Sequence, residues 1–423
     1  MDIAPNTNVS DYNASKESSH LKFAIVGCGV AGISAALAIR KNSSESEISV
    51  YTDENDFYYP RPRLYEVISG EREPHDLYSY PPQFYDSQRI KVYLKKKVVN
   101  IDLVKKDIRL EDGSRTGWDK LLLANGANPF VPSMQGLGKS GVFTLRTIGD
   151  AVSIRERLKK TSNAIVVGTG LLGLELAASL RKTGRNVGVV GLESRLLPRQ
   201  LDNDGSEILK KDLEEMGIVP VLSAKCKEIL GKDEVAGVSF EDGRDLQGGM
   251  MVVAAGVRPN IRLASDAGIK ASQGVVVDQH LQTSGDDVYA AGDVIEFKGQ
   301  VYGQIPPALE QTKIAALNML GQNEHVYEGT VQRTTLRIAG ISLTSMGLVN
   351  PKGSGFEEIK KVNREEGEYG KVVLEKGRIV GATLLGKRMD VATITRLMDK
   401  GVDVSEFKHR LLDTDLKNAI PTM

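Results

Sequence analysis

The chain has 423 residues, 55 Lys+Arg against 55 Asp+Glu, 41% hydrophobic and 26% charged residues. That is the balance of a globular protein with a sizeable core, and at about 150 residues per domain it predicts two or three domains. Zero net charge gives no global electrostatic attraction to nucleic acid or to an anionic membrane, so neither is expected as a partner.

The two cysteines, Cys28 and Cys226, form neither a CxxC redox pair nor a set of metal-binding thiolates, and a cytoplasmic location is expected. The five histidines share no metal-ligand spacing, so no metal is expected. Residues 1–20, rich in Asn, Ser and Asp with no apolar run, read as a disordered tail rather than a targeting peptide. The longest apolar stretch, residues 250–257, is far short of the roughly 20 residues that cross a bilayer, which predicts no membrane insertion.

In chain order, the apolar strand Phe23-Ala24-Ile25-Val26 runs into Gly27-Cys28-Gly29-Val30-Ala31-Gly32 and an Ala/Leu-rich helix, and a second strand, residues 48–51, ends near Asp53 and Glu54. The pattern recurs. Strand 164–167 leads into Gly168-Thr169-Gly170-Leu171-Leu172-Gly173, a helix expected from about Leu174 to Lys182, and strand 187–190. In such a unit the first glycine makes the tight turn, the second lets a pyrophosphate reach backbone, and the third brings helix against strand. One GxGxxG is a weak signal; two, each between a strand and a helix, mark two dinucleotide-binding units. The loop from Ser133 to Ser140 ends in a P-loop-like Gly-Lys-Ser but lacks the leading glycine, and reads as a domain-linking loop.

Farther along come Gly256-Val257-Arg258-Pro259-Asn260, then Val288-Tyr289-Ala290-Ala291-Gly292-Asp293, and a helix expected from about Ala308 to Leu320 behind two prolines. After residue 327 the pattern changes to strands such as 371–374 and 378–385, joined by a hairpin turn at Glu375-Lys376-Gly377, and an amphipathic helix over 391–400. The predicted fold class is α/β, with two Rossmann-like dinucleotide-binding domains followed by a C-terminal α+β domain. The expected division is one dinucleotide-binding domain at 21–145 and 261–326, a second at 146–260, and a third domain at 327–423.

These motifs, in this order, resemble the FAD-dependent pyridine nucleotide-disulfide oxidoreductases. The stretch Tyr58-Tyr59-Pro60-Arg61-Pro62-Arg63-Leu64 is most similar to the NADH:rubredoxin oxidoreductases, with ferredoxin reductases of oxygenase systems as relatives. The resemblance implies FAD and NADH as cofactors. Gly27, Gly29 and Gly32, with Val30 and Ala31, would hold the FAD pyrophosphate, Glu54 the adenosine ribose, and Arg61 the phosphate charge. Val98 would lie against adenine, and Ala124-Asn125-Gly126 resembles the family's ATG turn with Asn125 in place of Thr. Thr283 and the segment from Tyr289 to Asp293, including Gly292, match the second FAD signature, in which Asp293 contacts the ribitol; the alternative for Asp293 is a turn or N-cap role. The helix beginning near Ala308 would point its N-terminus at the flavin pyrimidine, or is an ordinary proline-led core helix.

Gly168, Gly170, Leu171, Gly173 and Gly256 would hold the nicotinamide cofactor. Gly191 stands where the family has a ribose-binding acid, and Glu193 is the expected substitute. NADH is therefore favoured, with NADPH as the alternative; Arg195 is either its 2′-phosphate contact or a solvated loop residue. Glu175 matches an acid beside the flavin, a catalytic candidate, but Glu66 occupies the place of its usual Lys partner, and a capped or solvated helix Glu is the equal alternative.

With no cysteine pair in a redox position, electrons must leave from the flavin to an external carrier, rubredoxin or a ferredoxin-like protein. A slow-turnover nicotinamide sensor, with the C-terminal domain as an interaction module, is the competing reading. For an acidic iron protein, the candidate docking cations are Lys360, Lys361, Lys387, Arg388 and Arg396.

Overall fold

The computed structural model describes residues 20–338, 340–386, 389–414 and 416, so the expected tail at 1–20 lies outside the described residues except for His20. Two five-stranded parallel sheets and one five-stranded antiparallel sheet carry the architecture.

The first sheet has the order Val288–Ala290, Lys120–Leu123, Lys22–Val26, Glu47–Tyr51, Ile90–Tyr93. Its central strands are runs of Val, Ile, Leu and Phe because they are buried on both sides, in one cluster with the helix Val30–Asn42 and with the small antiparallel sheet Val98–Asp102, Asp107–Leu110, Arg115–Gly117. Register matters more than composition here: Val26 pairs with Leu123 and Tyr51, and Leu123 pairs with Ala290. All strands therefore end in one row, delivering Gly27, Ala124, Ala291 and Thr52 to the same edge, where ligands bind in open parallel sheets.

The second sheet repeats the arrangement with Ile218–Val221, Asn186–Val190, Asn163–Val167, Met250–Val253 and Val142–Thr144. Val167 pairs with Val190 and Val253, which places Gly168, Gly191 and Ala254 in the corresponding row. The apolar stretch at 250–257 is in part a fully buried strand of this sheet. No helix among the described residues is long and apolar enough to cross a membrane.

The two glycine-turn helices run over Val30–Asn42 and Leu171–Lys182. The second begins three residues before the expected Leu174, because Gly170 is already its N-cap. The helix expected from Ala308 spans Ile305–Met319, with its prolines in the first turn where their missing N–H groups cost nothing. The near-P-loop at 133–140 holds no phosphate-binding lysine: Lys139 Nζ donates to the Ile229 carbonyl.

The C-terminal sheet is antiparallel, ordered Arg333–Ile338, Ile341–Gly347, Arg378–Leu385, Glu368–Glu375, Phe356–Asn363. The expected hairpin turn carries positive φ at Lys376 and Gly377. Its strand, Glu368–Glu375, is twice as long as the predicted 371–374 because residues 368–370 and 375 also pair with neighbouring strands, and within it Lys371, polar by type, is buried at 2% exposure and bonds Asn350 Oδ1 at 3.0 Å.

One apolar core joins all three layers. Val166, Leu174 and Val189 of the second sheet region pack in the same cluster as Tyr59, Leu64, Val67 and Leu77 from the first, and Leu336, Tyr369 and Leu385 from the C-terminal sheet. Ion pairs reinforce the last contact: Lys360 meets Asp202 at 2.6 Å and Asp204 at 3.3 Å, and Arg364 meets Asp204 at 2.7 Å. Apolar burial should dominate. In urea unfolding, Tyr369→Ala is expected to cost about 3–5 kcal/mol as a large buried aromatic, and Lys360→Ala about 0–1 kcal/mol as a partly exposed ion pair.

Candidate functional site

Building an ideal Cβ on each turn glycine separates their roles. At Gly27 (φ +113°) it would stand 2.2 Å from the Ala124 carbonyl oxygen, and at Gly32 it would stand 1.9 Å from the Gly27 carbonyl oxygen. The second turn is the same: Gly168 (φ +138°) meets the Ala254 oxygen at 2.3 Å and Gly173 meets the Gly168 oxygen at 2.1 Å. The protein backbone itself requires these four glycines. At Gly29 and Gly170, the middle glycine of each turn, a Cβ would meet nothing within 4 Å. Neither helix has a side-chain N-cap, whereas Thr147, Asp202 and Asp390 cap the N-termini of three other helices. Both turns thus present uncapped N–H groups beside open space, the arrangement that receives a pyrophosphate.

Around the first turn lie two cations and two acids from distant segments. Glu54 pairs with Arg61 at 2.6 Å and accepts a hydrogen bond from the Tyr59 hydroxyl. Arg61 also donates to the Arg146 carbonyl, and Arg146 Nη2 meets Asp293 Oδ2 at 3.1 Å. Burial pulls the Arg61 guanidinium down, but Glu54, Tyr59 and Asp293 more than offset it. Arg146, buried and facing the Arg61 charge, is held below the usual guanidinium range. Two adjacent guanidinium groups of this kind suit a doubly charged pyrophosphate better than two carboxylates alone satisfy them.

The turn at 292–293 is fixed from behind. Gly292 N–H donates to Gln311 Oε1 at 2.9 Å, and Gln311 donates to the Tyr327 hydroxyl at 3.1 Å. A Cβ on Gly292 would lie 2.8 Å from Ala31 Cβ and 3.9 Å from Ala308 Cβ, so small residues let three elements converge at the turn. The structure thus brings Gly27, Gly29, Val30, Ala31, Gly32, Glu54, Arg61, Ala124, Gly126, Gly292, Asp293 and Ala308 to one edge. Val98 begins a small antiparallel sheet and pairs with Leu110, and the Thr283 hydroxyl donates to the Val288 carbonyl at 2.9 Å. Asn125 Oδ1 and Gln304 Oε1 are buried acceptors with no donor among the described residues, the sort of atom a ligand N–H or O–H satisfies. Sequence reasoning missed Arg146, Tyr59 and Gln311. Arg146 had one local signal, its position directly before the capping box Thr147–Asp150.

At the second turn, Gly191 is glycine for a steric reason: a Cβ there would stand 2.5 Å from Thr169 Cγ2 of the turn itself. An acid at that position would require the Thr169 side chain to move, and the exposed Glu193 stands two residues on, with its carbonyl bonded to Ser223 N–H at 3.0 Å. Arg195 donates to the Pro198 carbonyl at 3.3 Å, while its Nε is buried without a partner. Gly256 (φ +108°) has open space where a Cβ would be, and Leu171 lies partly buried in the first helical turn.

Glu175 is neither solvated nor capped. It accepts a hydrogen bond from the Tyr65 hydroxyl, and Ser179 Oγ donates to the Tyr65 carbonyl at 3.0 Å, so this pair joins segments of the two dinucleotide units. Glu66 is turned away into ion pairs with Arg63 at 2.7 Å and Arg72 at 3.0 Å, chiefly the Arg63 bond holding its carboxyl below the ordinary range. Burial raises the Glu175 carboxyl above its ordinary range, against the pull of Tyr65.

Burial pushes Cys28 up to about 12 and Cys226 up to about 11, and the two pack in separate clusters. Among the described residues, no group of His, Cys, Asp or Glu could hold a metal. Of the expected docking cations, Lys360 is tied to Asp202 and Asp204, and Lys361 donates to the Leu412 carbonyl at 3.1 Å. Both residues are exposed as well as engaged in these intramolecular contacts. Lys387 and Arg388 lie outside the described residues, and Arg396 is exposed.

The Tyr65–Glu175 pair gives a signed prediction. Tyr65→Phe leaves a half-buried carboxylate without its donor and is expected to cost about 1–3 kcal/mol at neutral pH. Because the folded pKa of Glu175 lies above its unfolded value, it lowers stability as pH rises between the two, and protonation removes the penalty below them. The Tyr65→Phe deficit in urea unfolding should therefore shrink toward about pH 4, and Glu175→Gln should flatten the pH slope.

Comparison with known proteins places these features. Residues 21–315 match the family model described as pyridine nucleotide-disulphide oxidoreductase, and residues 333–402 match the rubredoxin NAD+ reductase C-terminal domain. A nitrite reductase [NAD(P)H] of Bacillus subtilis is 33% identical over 385 residues, 90% of this chain but 48% of that protein. The chain spans about half the length or less of the first three curated relatives. The NADH-rubredoxin oxidoreductase of Clostridium acetobutylicum is 31% identical, over 91% of this chain and 95% of that one. Among solved structures, the ferredoxin reductase for the CYP199A2 system of Rhodopseudomonas palustris superposes with a TM-score of 0.84 at 26% identity, covering 95% of this chain and all of that one.

Proposed function

Because the chain belongs to the pyridine nucleotide-disulphide oxidoreductase family, we propose that it is an FAD enzyme that takes a hydride from NADH and passes electrons singly to a small iron protein, rubredoxin first and a ferredoxin-like protein second. The observation that carries this reading is the middle glycine of each turn. Gly29 and Gly170 are the turn glycines that the fold does not require, so a ligand is what requires them, twice on one chain.

Bound flavin supplies the conversion of a two-electron hydride into single electrons. The protein's contribution is placement. Gly27, Gly29 and Gly32 with the Val30–Ala31 helix start receive one pyrophosphate, whose charge Arg61 and Arg146 balance. Glu54 and Asp293, each held by one of those arginines, offer carboxylate acceptors to ribose and ribitol hydroxyls, and Val98 borders adenine. With flavin bound, the helix Ile305–Met319 would turn its N-terminal dipole to the ring and favour the reduced, negatively charged form. On the other unit, Gly168, Gly170, Leu171 and Gly173 receive the second pyrophosphate, Gly256 leaves room beside it, and Glu193 takes the ribose of NADH.

Disulfide chemistry has no support from the cysteines, since Cys28 is buried inside the turn and Cys226 sits in a separate cluster. Rubredoxin as acceptor is supported by the match of residues 333–402 and by the Clostridium relative; the Rhodopseudomonas neighbour favours a ferredoxin as the second choice.

Purified protein should be yellow, and NADH should bleach it faster than NADPH in anaerobic stopped flow. Glu193→Ala should erode that preference about tenfold, the value of one charge-assisted hydrogen bond of roughly 1.5 kcal/mol. Colourless protein that FAD cannot reconstitute would end the flavin assignment, and equal reduction by NADPH would move the nucleotide selectivity to Arg195. Reduced protein mixed with rubredoxin and with ferredoxin ranks the acceptors.

A further inference from the structure

The chain passes between the two parallel sheets twice, leaving after Leu123 and returning after Val253, and the two crossings pair as a two-stranded antiparallel ribbon, Ala127–Pro129 against Val257–Pro259. This ribbon is poorly built as a ladder. It has three residue pairs, and Pro129 and Pro259, in the two outer pairs, remove two N–H donors. An isolated two-stranded ribbon of this length is marginal in water. Backbone bonds close its ends, Phe130 N–H to the Gly256 carbonyl at 2.8 Å and Asn260 N–H to the Gly126 carbonyl at 2.9 Å, and Arg258 stacks over Phe130 at 4.5 Å.

At the end nearer the first turn, two side-chain amides replace the missing ladder bonds. Asn125 Nδ2 donates to the Asn260 carbonyl at 2.9 Å, and Asn260 Nδ2 donates to the Asn125 carbonyl at 2.7 Å. Each asparagine thus grips the other's backbone. Both partners adjoin the dinucleotide turns. Asn125 follows Ala124, whose carbonyl sits against Gly27, and precedes Gly126 (φ +64°), where a Cβ would come within 3.2 Å of Arg146. Asn260 ends the short segment that begins at Ala254, whose carbonyl sits against Gly168. The reciprocal bonds therefore tie the floor of one turn to the floor of the other, across the only covalent crossings between the sheets.

We propose that Asn125 and Asn260 are positioning residues that lock this ribbon and so fix the distance and angle between the flavin and nicotinamide sites. The proposal rests on the function assigned above. Hydride transfer is steep in geometry, a misplacement of about 1 Å costing about 100-fold, so a slackened ribbon should appear in the rate of flavin reduction rather than in flavin retention. Asn125→Thr, the residue that the family resemblance expects at this position, removes the Nδ2 donor and retains a side chain of similar bulk.

The test is a double-mutant cycle on Asn125→Ala, Asn260→Ala and the pair, with Asn125→Thr as a milder variant should an alanine fail to fold. The limiting rate of flavin bleaching at saturating NADH, per bound flavin, is expected to fall about tenfold in each single variant, with FAD content and dithionite reduction unchanged in Asn260→Ala. The double variant should be no slower than the slower single. Amide hydrogen exchange at Phe130 and Asn260, measured on flavin-free protein, should accelerate in the same non-additive way. Bleaching rates within twofold of wild type, or a double variant equal to the product of the singles, would overturn the proposal. If the wild-type chain proves not to bind flavin, the functional reading fails, and the exchange cycle still decides whether the two amides form one lock.

Discussion

Everything in this molecule depends on a strand carbonyl pressed against a turn glycine. The Ala124 oxygen lies where Gly27 would carry a Cβ, and the Ala254 oxygen does the same to Gly168. That approach lets the chain leave a central strand, reverse without a side chain in the way, and start a helix whose first N–H groups remain uncapped. Gly32 and Gly173 then hold each helix down on its turn, because any larger residue would strike the Gly27 or Gly168 carbonyl. Two anion-receiving helix ends follow from four short backbone contacts.

The two units would be independent modules if only the ribbon joined them, but packing does more. Residues 59–77, which follow the first unit's second strand, place Tyr59, Leu64, Val67 and Leu77 in the core of the second unit, together with Leu336, Tyr369 and Leu385 of the C-terminal sheet. Apolar burial of this extent is the dominant favourable term in holding layers together. The same segment carries Arg61 and Tyr59 to Glu54 on one side and Tyr65 to Glu175 on the other. Structural cohesion and the charge pattern of the site therefore come from one stretch of about twenty residues, and a change in its packing reaches both nucleotide sites.

The local parts of this arrangement were legible in the sequence. Strand, glycine turn and helix are close neighbours along the chain, so both units, the Gly292-Asp293 turn and the 375–377 hairpin could be read from spacing alone. Features that depend on tertiary approach could not. Arg146 and Gln311 reach the strand-end edge of the first sheet from far along the chain, and nothing around Gln311 distinguishes it from any helix glutamine. Gly191 looked like a missing acid until Thr169 was seen to fill its space. Glu175 has no lysine partner at position 66; the preceding residue, Tyr65, makes the bond. The lysines at 360 and 361 are exposed, and the acceptors they engage lie in other segments that composition does not connect.

The central claim is that the first turn holds flavin and the second holds the nicotinamide cofactor, and the pair Gly29→Ala and Gly170→Ala tests it most directly. Neither added methyl group meets an atom within 4 Å, so both variants, compared with the wild-type chain in flavin-free form, should keep its circular dichroism spectrum and urea midpoint. Gly29→Ala should purify without its yellow colour. Gly170→Ala should stay yellow and bleach with dithionite, yet resist NADH. A yellow Gly29→Ala protein that NADH still reduces at the wild-type rate, or loss of flavin from Gly170→Ala instead, would contradict the account.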